Sequence, residues 1–173
     1  MKSKTEIEDL LNRLQILHEE NEAAKDDTLI KLYSKIAVLE LCGWLEQALD
    51  ELVLTYAQLQ LSSEGIKTLK KDKINKISSF EYKQFRDMLI YVIGLIHVEK
   101  LEESFAVSRL QDILDKTLLM ERKKHAHTTT AGVEHRTPSG EMFTYRSPSL
   151  IKGDLNTLYD LLIEVETNLN SIL

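Results

Sequence analysis

The chain has 173 residues, enough for one domain with a sizeable core; 43% are hydrophobic and 29% charged. Six Gly and two Pro against abundant Leu, Ile, Glu and Lys favour an all-α fold. A net charge of -6 argues against a general coat for polyanions. A single cysteine, Cys42, excludes an intrachain disulfide and a cysteine-based zinc site.

Ser3-Lys-Thr-Glu6 reads as a capping box. Ile7, Leu10, Leu11, Leu14 and Leu17 follow at helical spacing, so a first helix is expected to run to about Ala24. Asp26 and Asp27 then supply an N-cap and acidic charge for a second helix start. From Leu29 to about Leu61 the chain has no Pro and one Gly, and its apolar residues fall on more than one side. Leu32, Ile36, Leu39 and Gly43 mark one side; Leu41, Leu45, Ala48, Leu49, Leu52 and Tyr56 mark another. A helix this apolar is central in a bundle or shared with a second chain. Cys42 lies in this run and is expected to be a small buried residue.

Ser62 to Gly65 breaks the pattern, and Lys67 to Lys76 holds five lysines and one aspartate. That segment suits a solvated short helix, with a nucleic-acid patch as the alternative. Ser79 restarts a helix through Phe85, Met88, Leu89, Val92 and Ile93, and Gly94 and the polar residues 99–104 suggest a bend. A further helix, about Phe105 to Glu121, carries Leu110, Ile113, Leu114, Thr117 and Leu118. A loop or small β-hairpin is expected over 128–149, turning at Pro138-Ser-Gly140, before a last helix from about Lys152 or Asp154. The whole chain, 1–173, reads as a single domain of about five to six helices. No apolar run approaches the roughly 20 residues that span a bilayer. The N-terminal segment lacks the apolar core of a signal peptide, so a cytoplasmic location without membrane contact is expected.

Charge is unevenly placed. Residues 1–50 hold six Lys/Arg against eleven Asp/Glu, whereas 116–152 hold seven against three. Within that basic part, Arg122-Lys-Lys-His-Ala-His127 packs three cations and two histidines into six residues at the end of an apolar helix. The cluster suits a plain helix C-terminus, where cations favour the macrodipole. It also suits phosphate chemistry: Arg stays charged and grips phosphate oxygens through two donors, and His moves protons near neutral pH. On a continuous helix Arg122 and His127 lie about 140° apart, so they meet only at a helix end or across a symmetric interface. His125, three residues on from Arg122, shares its face and is the reserve for the acid–base role. Zinc is a weaker reading: His125 and His127 with Glu134 and His135 offer ligand types, but across a loop, and no metal is expected.

Arg122-Lys-Lys-His-Ala-His127-Thr resembles the motif of the HEPN superfamily, which is often Arg-Asn-x-x-Ala-His-Gly; Arg122, Ala126 and His127 agree. The stretches Ile36 to Glu46 and Ile93-Gly94 look like the branch associated with ribonuclease-inhibitor-like (RiboL-PSP) and defence genes. Lys123 stands where the family usually has Asn, Asp or His, and Thr128 where it often has Gly. The resemblance implies an all-α, homodimeric bundle with a long central helix. It also implies a cofactor-free, metal-independent endoribonuclease in toxin–antitoxin or anti-phage defence, with an antitoxin or neighbouring defence protein as partner. Arg122 and His127 of both copies would then be catalytic, with Lys123, Lys124, Arg136 and Arg146 guiding RNA. The alternative is a non-catalytic HEPN dimer that binds RNA or a protein partner.

Overall fold

The computed structural model describes residues 2–75, 81–127 and 145–173; the side chains of Lys124, Ala126 and His127 lie outside that description. The described residues are almost entirely helical and contain no strand. Of the sequence expectations, the hairpin over 128–149 lies almost wholly outside the described residues, as do Arg136, Glu134, His135 and the helix restart at Ser79.

The first helix, α1 (Thr5–Ala24), ends at Lys25, a left-handed residue with φ 58°. The expected capping box is not formed. Ser3 Oγ takes the Thr5 N–H at 3.2 Å, and the helix begins one residue later than the motif implied, with Lys4 at the cap position. Asp26 does cap α2 (Asp27–Gln60): its Oδ1 accepts from the N–H groups of Thr28 and Leu29, each at 3.1 Å. At 34 residues α2 is the axis of the bundle, and it packs against α1, α4, α7 and α8.

The buried residues of α2 include Ala37, Val38, Leu41, Cys42, Leu45, Ala48, Leu49, Leu52 and Val53, all at 2% exposure or less. The other expected side, Leu32, Ile36, Leu39 and Gly43, is only half-buried. Tyr56 donates to Glu166 O and to Asn170 Oδ1 on the last helix, so its ring is buried with its hydroxyl satisfied. Trp44 Nε1 likewise donates to Ser3 O at 3.0 Å.

Ser62 caps α3 (Ser63–Leu69) by accepting from Gly65 N–H, and the helix widens into a π turn at Lys70–Ile74. Then come α4 (Tyr82–Ile93) and α5 (Leu95–Glu102), separated by Gly94 at φ 83° and ψ 158°, a backbone region that glycine alone occupies freely. Tyr82 Oη and Arg86 both donate to Glu102, the guanidinium through two nitrogens, which braces α4 on α5. That pairing holds the Glu102 carboxyl below its usual range.

After Ser104 one continuous helical run crosses the bundle: α6 (Phe105–Asp112), a π segment (Ile113–Leu118) and α7 (Leu119–His127). It ends no earlier than His127, past the expected Glu121. The last helix, α8 (Pro148–Ile172), starts four residues before the expected Lys152, with Ser147 as cap and Pro at the first position. Its buried row of Ile151, Leu155, Leu158, Leu162, Val165 and Leu169 closes the core against α1, α2, α5 and α6.

A candidate arginine-centred site on a bulged helix

Position 122 is delivered by the backbone of the run before it. Ala106, Leu110, Leu114 and Leu118 are each 1% exposed or less, and Arg122 is next at the same spacing of four. In a regular α-helix every fourth residue drifts about 40°, so the row from Ala106 would wind about 160° round the helix by Arg122. The π segment removes part of that drift. Leu119 N–H bonds to Leu114 O, five residues back, so the turn holds an extra residue and rotates less per residue. Its mark is on Thr117. A regular stripe would turn Thr117 inward with Leu110, Ile113 and Leu114, and the structure leaves it exposed.

Arg122 thus faces α2, where Nη1 donates to Glu46 Oε1 at 2.6 Å. The two side chains are 28% and 25% exposed, a pair at the rim of the core rather than within it. One turn before Glu46 lies Cys42, whose thiol is pushed up to about 12 by burial; Arg122 opposes that rise and Glu46 and Glu121 reinforce it. A buried thiol held protonated is a packing residue and not a nucleophile. One turn after Glu46 lies Asp50, whose carboxyl is pushed up to about 6 by burial and by the Glu46 charge. Cys42, Glu46 and Asp50 thus stand on successive turns of α2, the first two within electrostatic reach of Arg122.

Arg146 sits between two acids. Its Nη1 is 3.2 Å from both Glu121 carboxylate oxygens on α7 and 2.6 Å from Asp154 Oδ2 on α8, which ties the two helices together. The hydrogen bond to Asp154 and burial work in opposite senses on Arg146, and the acids win, raising its guanidinium pKa.

His125 and Arg122 do share a helix side by spacing, but His125 is 1% exposed, and its ring packs on Tyr145 with centroids 5.6 Å apart. It lies in the wall and is not presented to solvent. His127 is the last residue of α7, so the helix stays continuous between it and Arg122 and the two positions do not converge by chain geometry within one copy. Lys123 is exposed. The side chains of Lys124 and His127, and Arg136 altogether, are outside the described residues.

Among the described residues no three His, Cys, Asp or Glu side chains cluster as a metal site, and no helix is long and apolar enough to cross a membrane. Glu46, Glu121 and Asp154 were not singled out in the sequence, because their partners lie 76, 25 and 8 residues away from them. No family model matches the chain, and neither does any curated protein or solved structure. The HEPN resemblance therefore rests on the residues quoted above.

Proposed function

We propose that the chain is a metal-independent endoribonuclease of the HEPN type, acting in the cytoplasm as part of toxin–antitoxin or anti-phage defence. The observation that carries this reading is Arg122 of the motif, turned by the bulged helix to the rim of the core, where it meets the Glu46 carboxylate. π segments inside α-helices are often found at functional sites, and this one lies within one turn of the motif.

In the reaction, the ribose 2′-oxygen attacks the adjacent phosphorus while the bond to the 5′-oxygen breaks. His127 of one copy takes the 2′-hydroxyl proton, and His127 of a second copy gives a proton to the departing 5′-oxygen. Arg122 donates to the phosphate oxygens as their charge grows, and its guanidinium stays charged throughout. The products carry a 2′,3′-cyclic phosphate and a 5′-hydroxyl. Two copies are needed because positions 122 and 127 lie about 140° apart round one continuous α7. On this reading Lys123, Lys124, Arg136 and Arg146 guide the RNA. Of these, Arg146 also has a structural duty between Glu121 and Asp154.

The test is cleavage of total RNA in EDTA by wild type, Arg122→Ala, His127→Ala and His125→Ala. The reading expects wild-type cleavage that Arg122→Ala and His127→Ala abolish and His125→Ala leaves largely intact. Lys123 in the motif and the carboxylate already on Arg122 favour a second reading, a non-catalytic HEPN dimer that binds RNA or a partner protein. RNA binding at low salt without cleavage would establish it.

A further inference from the structure

The Arg122–Glu46 contact joins residues 76 apart in sequence and is, with Arg86–Glu102 and Arg146–Asp154, among the shortest arginine–carboxylate pairs in the described fold. The other two tie helices together where no motif residue is involved. The contact to Glu46 engages the arginine of the motif itself, through one of the guanidinium nitrogens.

We infer that Glu46 is a positioning residue for Arg122: its carboxylate fixes the plane of the guanidinium before RNA arrives, so that the fork meets the reacting phosphate already aimed. This rests on the ribonuclease reading given above. An unanchored arginine side chain samples many rotamers and loses that freedom on gripping a ligand. Pairing with Glu46 moves that cost from the encounter with RNA to folding. A guanidinium has five N–H donors in a rigid fork, so a carboxylate on one nitrogen does not by itself bar donation to a phosphate. The price is partial neutralisation, which weakens ground-state attraction to RNA. Alignment matters most when negative charge grows on the phosphate, so the benefit falls on the chemical step.

An inhibitory role for Glu46 makes the opposite prediction. If the carboxylate merely competes with phosphate for Arg122, its removal speeds cleavage and tightens RNA binding. The sign of one substitution separates the two roles.

The experiment measures kcat and KM for a short single-stranded RNA in EDTA with the full chain carrying Glu46→Ala, Glu46→Gln or no change, and thermal melts report folding of each. Glu46→Gln retains an acceptor oxygen of the same reach. The expected result is a loss of about 30-fold or more in kcat for Glu46→Ala, KM within about threefold, and recovery to within about fivefold of wild type by Glu46→Gln. A purely structural role would lower the melting temperature and leave kcat of the folded protein unchanged. That outcome, or unchanged or faster cleavage by Glu46→Ala, overturns the inference. Wild-type inactivity on every RNA instead overturns the ribonuclease reading. Positioning is then read from labelling of Arg122 by phenylglyoxal, followed by mass spectrometry with Arg13 as the internal reference. Faster labelling of Arg122 in Glu46→Ala, by about fivefold, supports the fixed guanidinium; equal rates overturn it.

Discussion

The π turn at Lys70–Ile74 ends a helix, whereas the one at Ile113–Leu118 lies in the middle of a run that continues through His127. Both close a backbone bond from the residue after the turn to a carbonyl five back, Asn75 to Lys70 and Leu119 to Leu114. The first has no buried residue and carries Lys70, Lys71 and Lys73. The second buries Leu114 and Leu118 and is followed one turn later by Arg122. An extra residue at the end of a helix has nothing downstream to rotate. In mid-helix the same residue resets every side chain beyond it. Location, and not the bond pattern, makes one turn consequential.

The comparison is tested most strongly in the core. Leu114→Ala is expected to cost about 3 kcal/mol in chemical denaturation, because the side chain is fully buried in the core. Ile74→Ala, from the first turn and only half-buried, is expected to cost about 1 kcal/mol. Similar losses at both sites would erase the distinction.

Register is the next target. Inserting one alanine after Leu119, beyond the bulge, rotates Arg122 by about 100° relative to Leu114. Cleavage should fall about 100-fold with little change in helix content by circular dichroism. Full activity in the insertion variant would mean that the register set by the bulge does not aim Arg122.

A smaller effect concerns Asp50, one turn after Glu46 on α2. Its carboxyl rises from an ordinary 3.8 to about 6 through burial and Glu46, so the folded chain holds this proton more tightly than the unfolded chain. Folding stability from this group is present below about pH 4 and is lost as pH rises through about 6. Asp50→Asn avoids that loss. It is expected to gain about 1 kcal/mol at pH 7.5 after discounting for solvent screening, or about 3 °C in melting temperature, and nothing at pH 3.5. Equal gains at both pH values would point to packing rather than charge. Smallest of all, Lys71→Ala should change stability by less than about 0.5 kcal/mol, since its side chain is exposed on the first turn. A large loss of RNA binding in that variant would move the nucleic-acid surface to the lysine-rich segment.

Much of the fold was readable because the signals are local. Asp26 caps the helix it precedes, α1 ends at Ala24, Gly94 breaks α4 from α5, and Cys42 is buried in an apolar run. The misses are equally instructive. Ser3 and Glu6 matched a capping box, but Ser3 bonds nearer to itself, to Thr5. Ser147-Pro148 was an unused helix start, a cap followed by a proline whose missing N–H costs nothing there. The π segment has no residue signature, so a regular period wrongly placed Thr117 inside. The candidate site was half visible. Arg122 stood out through the cluster around it, while Glu46 looked like one more polar residue on a long helix until the fold brought the two together. The basic excess of 116–152 is answered in space by Glu121 within that stretch and by Glu46 and Asp154 outside it, which a count over the stretch does not include.

The central claim is that a bulged helix delivers Arg122 to Glu46 as a coupled pair, and a double-mutant cycle measures that coupling directly. Stability would be determined by denaturant unfolding for wild type, Arg122→Gln, Glu46→Gln and the double variant. A coupling energy of about 1 kcal/mol is predicted for a pair this short and three-quarters shielded from solvent. Additive single effects, with coupling below about 0.3 kcal/mol, would contradict the account, because Arg122 would then be held by something other than Glu46.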